Sequence, residues 1–568
     1  MSETVARATP LSKDGGFTHR QILTVLSGLM LGMFLAALDQ TIVATALRTI
    51  ADQLHGQTLQ AWATTAYLIT ATISTPLYGK LSDIYGRKQL FLTAISLFLF
   101  GSALSGFAQS MYELAAFRAV QGLGAGGLFA LALAIIADMV SPRERGRYMG
   151  YMVGTFGVAS VLGPVAGGFF AGLNNFLGIE GWRWVFLVNL PVGMIALIVV
   201  GRVLNLPHHR IDHRVDYLGA LTLVVGVVPL LVVAEQGREW GWTSARSLGL
   251  IAVGIVGLVA FVLAERRAGH EALLPLRLFR SSVFSLGNAL NFIMGMGMFG
   301  GLACLPLYLQ IVKGQSATMA GLLMLPLMLG IMTASTVSGR LIAKTGHYRV
   351  FPIIGMVAMG GALLLFSTIG VDTPLWPTLV FALLMGLGLG LCMQTLLLAV
   401  QNGVPPTEVG VASGSATFFR QMGGTAGTAV FLSILFGVVG DRIAGAFRAA
   451  AQSPAFTSAL QDPQVLANPA NRAVLDAVQH GAAGGGGGPN LNDTSFLSHI
   501  DPRLARPFLE GFSSSMDTVF LVGGLVIAVG FALVWFLKEV PLSTQSGMQR
   551  RAADAAEEQL VPAPVVGE

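Results

Sequence analysis

Long apolar runs are the feature that most constrains the fold of this chain. Fourteen mostly apolar segments recur along its 568 residues, and a helix needs about 20 such residues to cross the roughly 30 Å hydrocarbon core of a bilayer. Charged residues make up only 11% of the chain, whereas soluble domains carry about 25%. The runs do not alternate as the strands of a membrane β-barrel do. We therefore expect an all-α polytopic membrane protein. The predicted spans are 21–47, 60–79, 89–108, 112–138, 147–173, 182–204, 216–235, 246–265, 283–311, 317–343, 350–370, 375–400, 409–440 and 515–538.

The distribution of Lys and Arg predicts the orientation of the spans. If the N-terminus is cytoplasmic, 22 of the 34 basic residues fall on cytoplasmic helix ends and tails, and 5 fall on outer ends and short loops. Because cytoplasmic loops carry the positive excess, both termini should face the cytoplasm of a multi-pass cell (inner) membrane protein. The net charge of +5 is then a topology signal, so nucleic acid is not an expected partner. The first apolar stretch is too long for a cleavable signal and should remain as a span.

Two sequence patterns occur twice. Residues 79–86 align with residues 339–346, and residues 142–150 align with residues 406–414, at offsets of 260 and 264. Both patterns fall at cytoplasmic ends of predicted spans, which indicates two related six-helix halves. The predicted organisation is a cytoplasmic tail (1–20), an N-terminal six-helix bundle (21–205), two additional linker helices (206–268), a C-terminal six-helix bundle (269–440 and 515–538), an outer loop (441–514) and a cytoplasmic tail (539–568).

The outer loop does not fit the membrane pattern. It contains five consecutive glycines, residues 484–488, which are typical of a flexible linker. Flanking pieces such as residues 472–480 could form short helices on the outer surface. A solvated, partly disordered loop and a lid or partner-docking segment both remain open.

A short charged loop connects the second and third spans. Its glycines permit a tight reversal, and Asp83 is placed to hold Arg87 or a helix end. This loop resembles the signature loop of the major facilitator superfamily, and the resemblance implies a charged latch that stabilises the outward-facing state. The second-half copy has Ala343 where the first has Asp83, so we expect a weaker latch there. The candidate residues of this latch loop are Gly79, Asp83, Gly86, Arg87 and Lys88.

Two further patterns resemble motifs of the same superfamily. Residues 118–127 resemble its fourth-helix motif, in which the arginine, here Arg118, is tied to proton transfer. Residues 154–168 resemble the fifth-helix motif specific to antiporters; the small residues allow close packing of helices, and the proline bends the helix. A helix-packing face with no meaning for exchange is the alternative. The matching residues are Gly163, Pro164, Gly167 and Gly168.

Together with residues 38–47, residues 182–193 and fourteen spans, these motifs resemble the fourteen-helix drug:proton antiporters of the multidrug efflux type. The resemblance covers nearly the whole chain. It implies a major facilitator fold of two six-helix bundles plus two extra central helices, alternating access, and export of lipophilic, often cationic compounds, as in antibiotic resistance. It also implies that the proton gradient drives transport without a cofactor. The expected partners are small lipophilic substrates, protons and the bilayer, and we expect a monomer.

Asp39 is the one acidic residue well inside a predicted span. A carboxylate in hydrocarbon costs about 3 kcal/mol even on insertion scales and is functional by default; a structural ion pair between helices is the alternative. At the helical rise, Asp39 lies ~12 Å and Arg118 ~9 Å from the outer ends of their spans, so the two side chains should meet. We expect Asp39 to carry the proton and Arg118 to tune it.

Apolar and polar residues both supply candidates for the walls of a substrate cavity. The 22 methionines and 33 phenylalanines suit an adaptable apolar wall. Arg420 lies near mid-depth in the thirteenth span with no acidic partner in its half; helix carbonyls, Gln394 or Gln421, and an anionic part of a substrate remain open as its partners. For the other polar residues, helix packing competes with substrate contact. The candidates are Gln40, Tyr67, Gln121, Asn291, Tyr308, Gln394 and Arg420.

Two other functions remain open. One is a dedicated exporter of a single endogenous lipid or antibiotic on the same fold, and the other is a membrane sensor that binds a ligand without transporting it. An enzyme is not expected, because the sequence has no nucleophile–base pair, metal cluster or phosphate-binding loop. Cys304 and Cys392 both lie in apolar segments, so no metal site is expected from them.

Overall fold

All fourteen predicted spans are helical in the computed structural model. It describes residues 17–55, 59–204, 216–269, 271–472 and 500–543, together with residues 474, 475, 497, 545 and 549. Helices satisfy their own backbone hydrogen bonds, as a hydrocarbon solvent requires. Within the described residues, eleven helices are long and apolar enough to cross a membrane, and one shorter apolar helix accompanies them. Most of both predicted tails, the glycine run at 484–488 and most of the predicted surface helix at 472–480 lie outside the described residues.

The helices form two bundles and an additional pair. The N-terminal bundle contains α1 (His19–Gln53), α2 (Gln60–Tyr85), α3 (Arg87–Gly106), α4 (Met111–Met139), α5 (Pro142–Gly172), α6 (Trp184–Leu187) and α7 (Asn189–Val203), with a small antiparallel hairpin of β1 (Asn175–Phe176) and β2 (Ile179–Glu180) before α6. The additional pair is α8 (Tyr217–Trp240) and α9 (Ala245–Ala268). The C-terminal part contains α10 (Ser282–Leu307) with a π-helical turn (Tyr308–Val312), α11 (Ala317–Leu323), α12 (Leu325–Thr345), α13 (Val350–Phe366), α14 (Leu375–Asn402), α15 (Val409–Ala450), α16 (Pro454–Gln461), α17 (Pro463–Ala467) and α18 (Pro502–Val534).

α15 and α18 both extend into the range predicted as the outer loop, 441–514. They stay helical there because apolar side chains continue at helical spacing and pack across the pair. The rings of Phe447 and Phe508 meet edge to face with centroids 4.9 Å apart. Beyond them, Arg503 lies 2.9 Å from Asp462 and 3.0 Å from Asp501, and its hydrogen bonds hold the pKa of both carboxyls below their usual range. The short segment α16–α17 is thereby tied to the start of α18.

Glycines bring the two bundles together on the face where α1 begins and α18 ends, which we call the terminus face. A Cβ on Gly79 would lie 2.7 Å from the carbonyl oxygen of Gly410, so α2 and α15 touch through their backbones. Gly146 of α5 and Gly339 of α12 are so close that a Cβ on either would overlap the backbone of the other. Each repeated sequence pattern of one half therefore packs on the other pattern of the second half, as expected for two halves related by a pseudo-twofold axis.

Hydrogen bonds reinforce this seam between the bundles. Arg143 Nε donates to the carbonyl oxygen of Ala343 (2.7 Å), and Arg143 Nη2 donates to that of Lys344 (2.8 Å). Nearby, Arg145 donates to Gln401 Oε1. The second-half copy of the latch loop lacks an aspartate, yet an arginine of the first half holds it through main-chain carbonyls. The terminus face is therefore closed in this structure.

The additional pair lies against the outside of the seam. α8 packs on both α2 and α15, and it meets α9 closely, since a Cβ on Gly257 would lie 2.5 Å from the backbone nitrogen of Gly226. At the end of α9, the buried Glu265 carboxylate accepts the backbone N–H groups of Leu273 (3.2 Å) and Leu274 (2.9 Å). This cap fixes the chain where it enters the C-terminal bundle.

We expect the substitution Gly339→Ala to bias the protein toward a conformation open at the terminus face. The added methyl group has no room against Gly146, and overpacking of this kind typically costs about 1–3 kcal/mol. Nitroxide labels at the exposed positions 147 and 340 should show a longer distance by double electron–electron resonance. Gly361→Ala is the matched control, because a Cβ there meets nothing within 4 Å; an unchanged distance in Gly339→Ala would contradict the expectation.

Candidate functional site

Asp39 and Arg118 form a buried ion pair inside the N-terminal bundle. Arg118 Nη1 lies 2.5 Å from Asp39 Oδ2, with the two side chains 1% and 0% exposed. Asp39 is contributed by α1 and Arg118 by α4, which run in opposite directions. The contact expected from their depth in the sequence is therefore present in the structure.

Two amides complete the coordination of the Asp39 carboxylate. Gln121 Nε2 and Asn189 Nδ2 both donate to Asp39 Oδ1, at 2.9 and 2.8 Å, and both residues are fully buried. Asn189 also donates to Ser102 Oγ at 3.0 Å, which fixes its orientation. Every partner of the carboxylate is thus a donor, an arrangement that an ionised carboxylate satisfies because it only accepts. Asn189 is not among the predicted site residues, although it lies within residues 182–193, which contribute to the family resemblance.

Arg118 is held from three further directions. It donates to the carbonyl oxygen of Ala63 at 3.3 Å and to Gln121 Oε1 at 2.8 Å, and its guanidinium lies 4.1 Å from the centre of the Tyr67 ring. Such cation–π contacts stabilise a desolvated cation. Tyr67 and Gln121, predicted to line a substrate cavity, are fully buried in this group instead. We refer to Asp39, Tyr67, Arg118, Gln121 and Asn189 as the Asp39 cluster. Gln40 follows Asp39 in the chain and is half-buried.

The predicted antiporter motif of α5 packs on α1 next to this cluster. A Cβ on Gly163 would overlap the Thr41 hydroxyl, and one on Gly167 would lie 2.6 Å from the carbonyl oxygen of Ile42. Pro164 reaches the start of α11, 3.9 Å from a Cβ built on Gly321, whereas a Cβ on Gly168 would meet nothing within 4 Å. Two of the three glycines therefore hold α5 against α1, two or three residues from Asp39.

The latch loop is an ion-pair network at the terminus face. Arg87 lies 2.5 Å from Asp83 and 2.9 Å from Asp138 at the end of α4. Gly86 makes the reversal at φ +96°, a conformation that glycine adopts readily. Lys88 Nζ donates to the carbonyl oxygen of Gly201 at 2.7 Å. Asp138 also belongs to this network, although it is not among the predicted site residues.

The latch loop also faces the other bundle. A Cβ on Gly410 of α15 would overlap the Arg87 guanidinium and lie close to the Asp83 carboxylate. The network therefore packs against Gly410, the residue that also contacts Gly79. The ion pairs and the close backbone contact between the bundles lie at the same position.

The remaining cavity candidates are dispersed. Tyr308 is buried and donates from its hydroxyl to the carbonyl oxygen of Gly370 at 3.0 Å. Asn291 is fully buried on α10, Gln394 borders a small gap beside Arg145, and Arg420 is half-buried on α15. A cavity of about 600 Å³ lies between α1, α5 and α12; its lining is apolar and includes none of these candidates.

Comparison with known proteins identifies the family. The family model described as Major Facilitator Superfamily matches residues 29–428. The chain belongs to the major facilitator superfamily. The matched range includes Asp39, the latch loop and Arg420. Its members are transporters, so the protein is a multi-pass membrane transporter and not an enzyme, as predicted.

Relatives in this superfamily carry names that refer to multidrug transport and to tetracycline resistance. The Multidrug transporter protein MdtP of Bacillus subtilis (strain 168) is 34% identical over 557 residues, covering 96% of this chain and 98% of the relative. The Tetracycline resistance determinant of Streptomyces rimosus is 41% identical over 341 residues, covering 60% of this chain and 96% of the relative.

Solved structures agree on the fold. The proton:xylose symporter XylE superposes with a TM-score of 0.57 at 15% identity, covering 94% of this chain and all of that chain. The human organic anion transporter MFSD10 gives 0.53 at 16% identity, covering 89% and 99%. The predicted all-α major facilitator fold is confirmed.

We expect Gly163→Ala to destabilise the protein and Gly168→Ala to leave it unchanged, although both residues belong to the same motif. Only the first substitution places a methyl group against the Thr41 side chain, and the overpacking should cost about 1–3 kcal/mol. Thermal unfolding of the purified variants in detergent measures the difference. Equal melting temperatures for the two variants would show that the motif does not act through this contact.

Proposed function

We propose that the protein is a proton-coupled exporter of lipophilic compounds, in which Asp39 binds the transported proton and Arg118 controls its release. The observation that carries the proposal is the fully buried Asp39–Arg118 pair. A buried charge pair within a membrane bundle is costly, and ionisable groups there commonly serve proton relays. Relatives named Multidrug transporter protein and Tetracycline resistance determinant support the transport of drug-like compounds out of the cell.

The proposed orientation places the terminus face in the cytoplasm of the cell (inner) membrane. It rests on the 22 basic residues at helix ends and tails on that side and on the positive-inside rule. The closed terminus face then corresponds to a conformation sealed toward the cytoplasm. In this proposal the protein works as a monomer without a cofactor, and the proton gradient supplies the energy.

The proposed cycle begins with a proton arriving at Asp39 from outside. A neutral carboxyl no longer attracts the Arg118 guanidinium, so the tie between α1 and α4 weakens. Because Gly163 and Gly167 couple α5 to α1, movement of α1 carries α5 with it. α5 also holds Gly146 against Gly339 at the seam, so the same movement opens the terminus face. Substrate enters there, Asp39 releases its proton to the cytoplasm, and renewed pairing with Arg118 closes the seam.

One proton per cycle sets the electrical balance. Exchange of a monovalent cation for one proton moves no net charge, whereas exchange of a neutral compound moves one charge. That charge is worth about 2.3 kcal/mol per 100 mV of membrane potential. Neutral and cationic substrates should therefore respond differently to a potassium–valinomycin clamp.

The substitution Asp39→Asn should abolish uphill transport while leaving downhill exchange of substrate. The amide has nearly the shape of the carboxylate and keeps one acceptor oxygen, but it cannot take up a proton, and Arg118 retains Ala63, Gln121 and the Tyr67 ring. The measurement is accumulation of a cationic dye in inverted membrane vesicles driven by an imposed pH gradient, beside counterflow of the same dye without a gradient.

The exposed Asp52 at the end of α1 provides the matched control, and Asp52→Asn should accumulate dye as the parent does. Gel filtration and thermal unfolding establish that the Asp39 variant is folded. Dye accumulation by Asp39→Asn equal to that of the parent would refute the proposal. Accumulation by the parent that does not depend on the pH gradient would also refute it.

A further inference from the structure

Arg420 is a deep cation for which the described residues provide no hydrogen-bond or ion-pair partner. It is the twelfth residue of α15, about 16 Å along the helix from its start at the helical rise. Its neighbour Gln421 accepts a hydrogen bond from Thr75 of α2 at 3.2 Å, across the two bundles. Arg420 therefore lies at mid-depth beside the seam. A charge at this depth is costly and is functional by default.

The buried Arg87 and Arg118 have carboxylate partners, whereas Arg420 has none among the described residues. Arg118 pairs with Asp39, and Arg87 pairs with two carboxylates. Within the described part of the chain, the Arg420 guanidinium makes no hydrogen bond or ion pair. The sequence left helix carbonyls, Gln394 and Gln421 open as partners of Arg420. In the described part of the chain, none of them forms a hydrogen bond with the guanidinium.

The register of the helices shows which side of α15 carries Arg420. Ser413, two turns earlier on the same face, accepts a hydrogen bond from Gln401 of α14 at 2.7 Å. The backbone of Arg420 itself touches α10, since a Cβ on Gly295 would overlap its carbonyl oxygen. Arg420 thus stands on the side of α15 that α10 and α14 share, inside the C-terminal bundle.

A second unpaired polar group occurs at the same level of α10. Asn288 is bonded to Ser415 of α15, and Gly295 meets Arg420, so Asn291 falls between these two contacts. Asn291 is fully buried, and its Oδ1 has no hydrogen-bond partner in the described part of the chain. Buried acceptors are rarely left unpaired in proteins. The unneutralised Arg420 cation indicates a site whose ligand supplies an anion; the buried Asn291 Oδ1 is itself an acceptor and does not contribute to anion binding.

We propose that Arg420 binds an oxyanion of the transported compound, so that the substrates include lipophilic acids whose carboxylate or enolate lies at mid-depth in the C-terminal bundle. Guanidinium prefers carboxylates and similar oxyanions because its N–H groups match their geometry. A lipophilic cation gains nothing from this residue. This inference rests on the proposed function in one respect, since it takes the ligand to be a transported substrate. Binding at Arg420 does not itself depend on proton coupling.

The test is equilibrium binding to purified protein in phosphatidylcholine nanodiscs. The probes are three matched pairs of acid and carboxamide: 7-(diethylamino)coumarin-3-carboxylic acid, 2-naphthoic acid and 3-hydroxy-2-naphthoic acid, each beside its amide. The parent should bind at least one acid about tenfold more tightly than its amide, a difference of about 1.4 kcal/mol. Arg420→Gln should remove that preference and Arg420→Lys should restore part of it.

Matched controls separate the site from general electrostatics. Arg448→Gln removes one positive charge from the outer end of the same helix, where Arg448 donates only to its own helix at Ala444 (3.3 Å), and the preference should persist. Because Arg420 has no partner to lose, its Gln variant should melt no lower than the parent; a large drop would indicate a structural role and would overturn the proposal. Equal binding of acid and amide by the parent in all three pairs would also overturn it.

Added phosphatidylglycerol distinguishes a substrate oxyanion from a lipid phosphate. If this lipid abolishes acid binding in the parent and in Arg448→Gln alike while the amides still bind, the site takes a headgroup and the proposal fails. Binding is measured without a gradient, so loss of proton-driven transport would refute the proposed function and leave this result intact.

Discussion

Close approach of backbones is the constraint on which this structure depends. Helices surrounded by lipid gain little from burying apolar side chains against each other, so they associate through packing and a few polar contacts. In this protein the close contacts that glycine permits include α2 against α15, α5 against α12, and α5 against α1. The first two join the bundles and the third joins two helices within one bundle. The path from the Asp39 cluster to the seam is therefore made of small residues.

The charges are placed where this packing makes them effective. Asp39 lies two residues from Thr41, which fills the space left by Gly163, and Arg87 occupies the space left by Gly410. In both cases an ionised side chain and a glycine contact share one location. A change of protonation or pairing there acts directly on backbone separation, which is the variable that alternating access must change. Arg420 differs, since it adjoins a glycine contact but has no counter-ion among the residues that the structure describes.

Much of the fold could be predicted from sequence because the signal is direct. A run of about 20 apolar residues predicts a span whatever its neighbours are, and the paired glycine patterns predicted the two halves. The contact of Asp39 with Arg118 followed from counting residues to the helix ends. Asn189 and Asp138 could not be found in this way: an amide at one helix end and a carboxylate at another acquire meaning only when a third helix is placed beside them. Likewise, the sequence alone does not distinguish Gly163 from Gly168. A Cβ on Gly163 would meet Thr41, whereas a Cβ on Gly168 would meet nothing within 4 Å. The prediction of a loop beyond residue 440 failed for a related reason. The apolar spacing there pairs α15 with α18, and this pairing is visible only once the two helices lie side by side.

α15 is long enough to extend beyond the hydrocarbon core of the membrane. Its 42 residues extend about 63 Å at the helical rise, roughly twice the thickness of the hydrocarbon core. The same continuous rod carries Gly410 at one tip and the turn into α16 at the other. A rocking motion of about 5° at the seam would sweep the distal tip through about 5 Å over this length. A fluorophore or antibody fragment attached near Ala450 would therefore magnify a small internal rearrangement into a displacement that can be followed from the solvent, one molecule at a time.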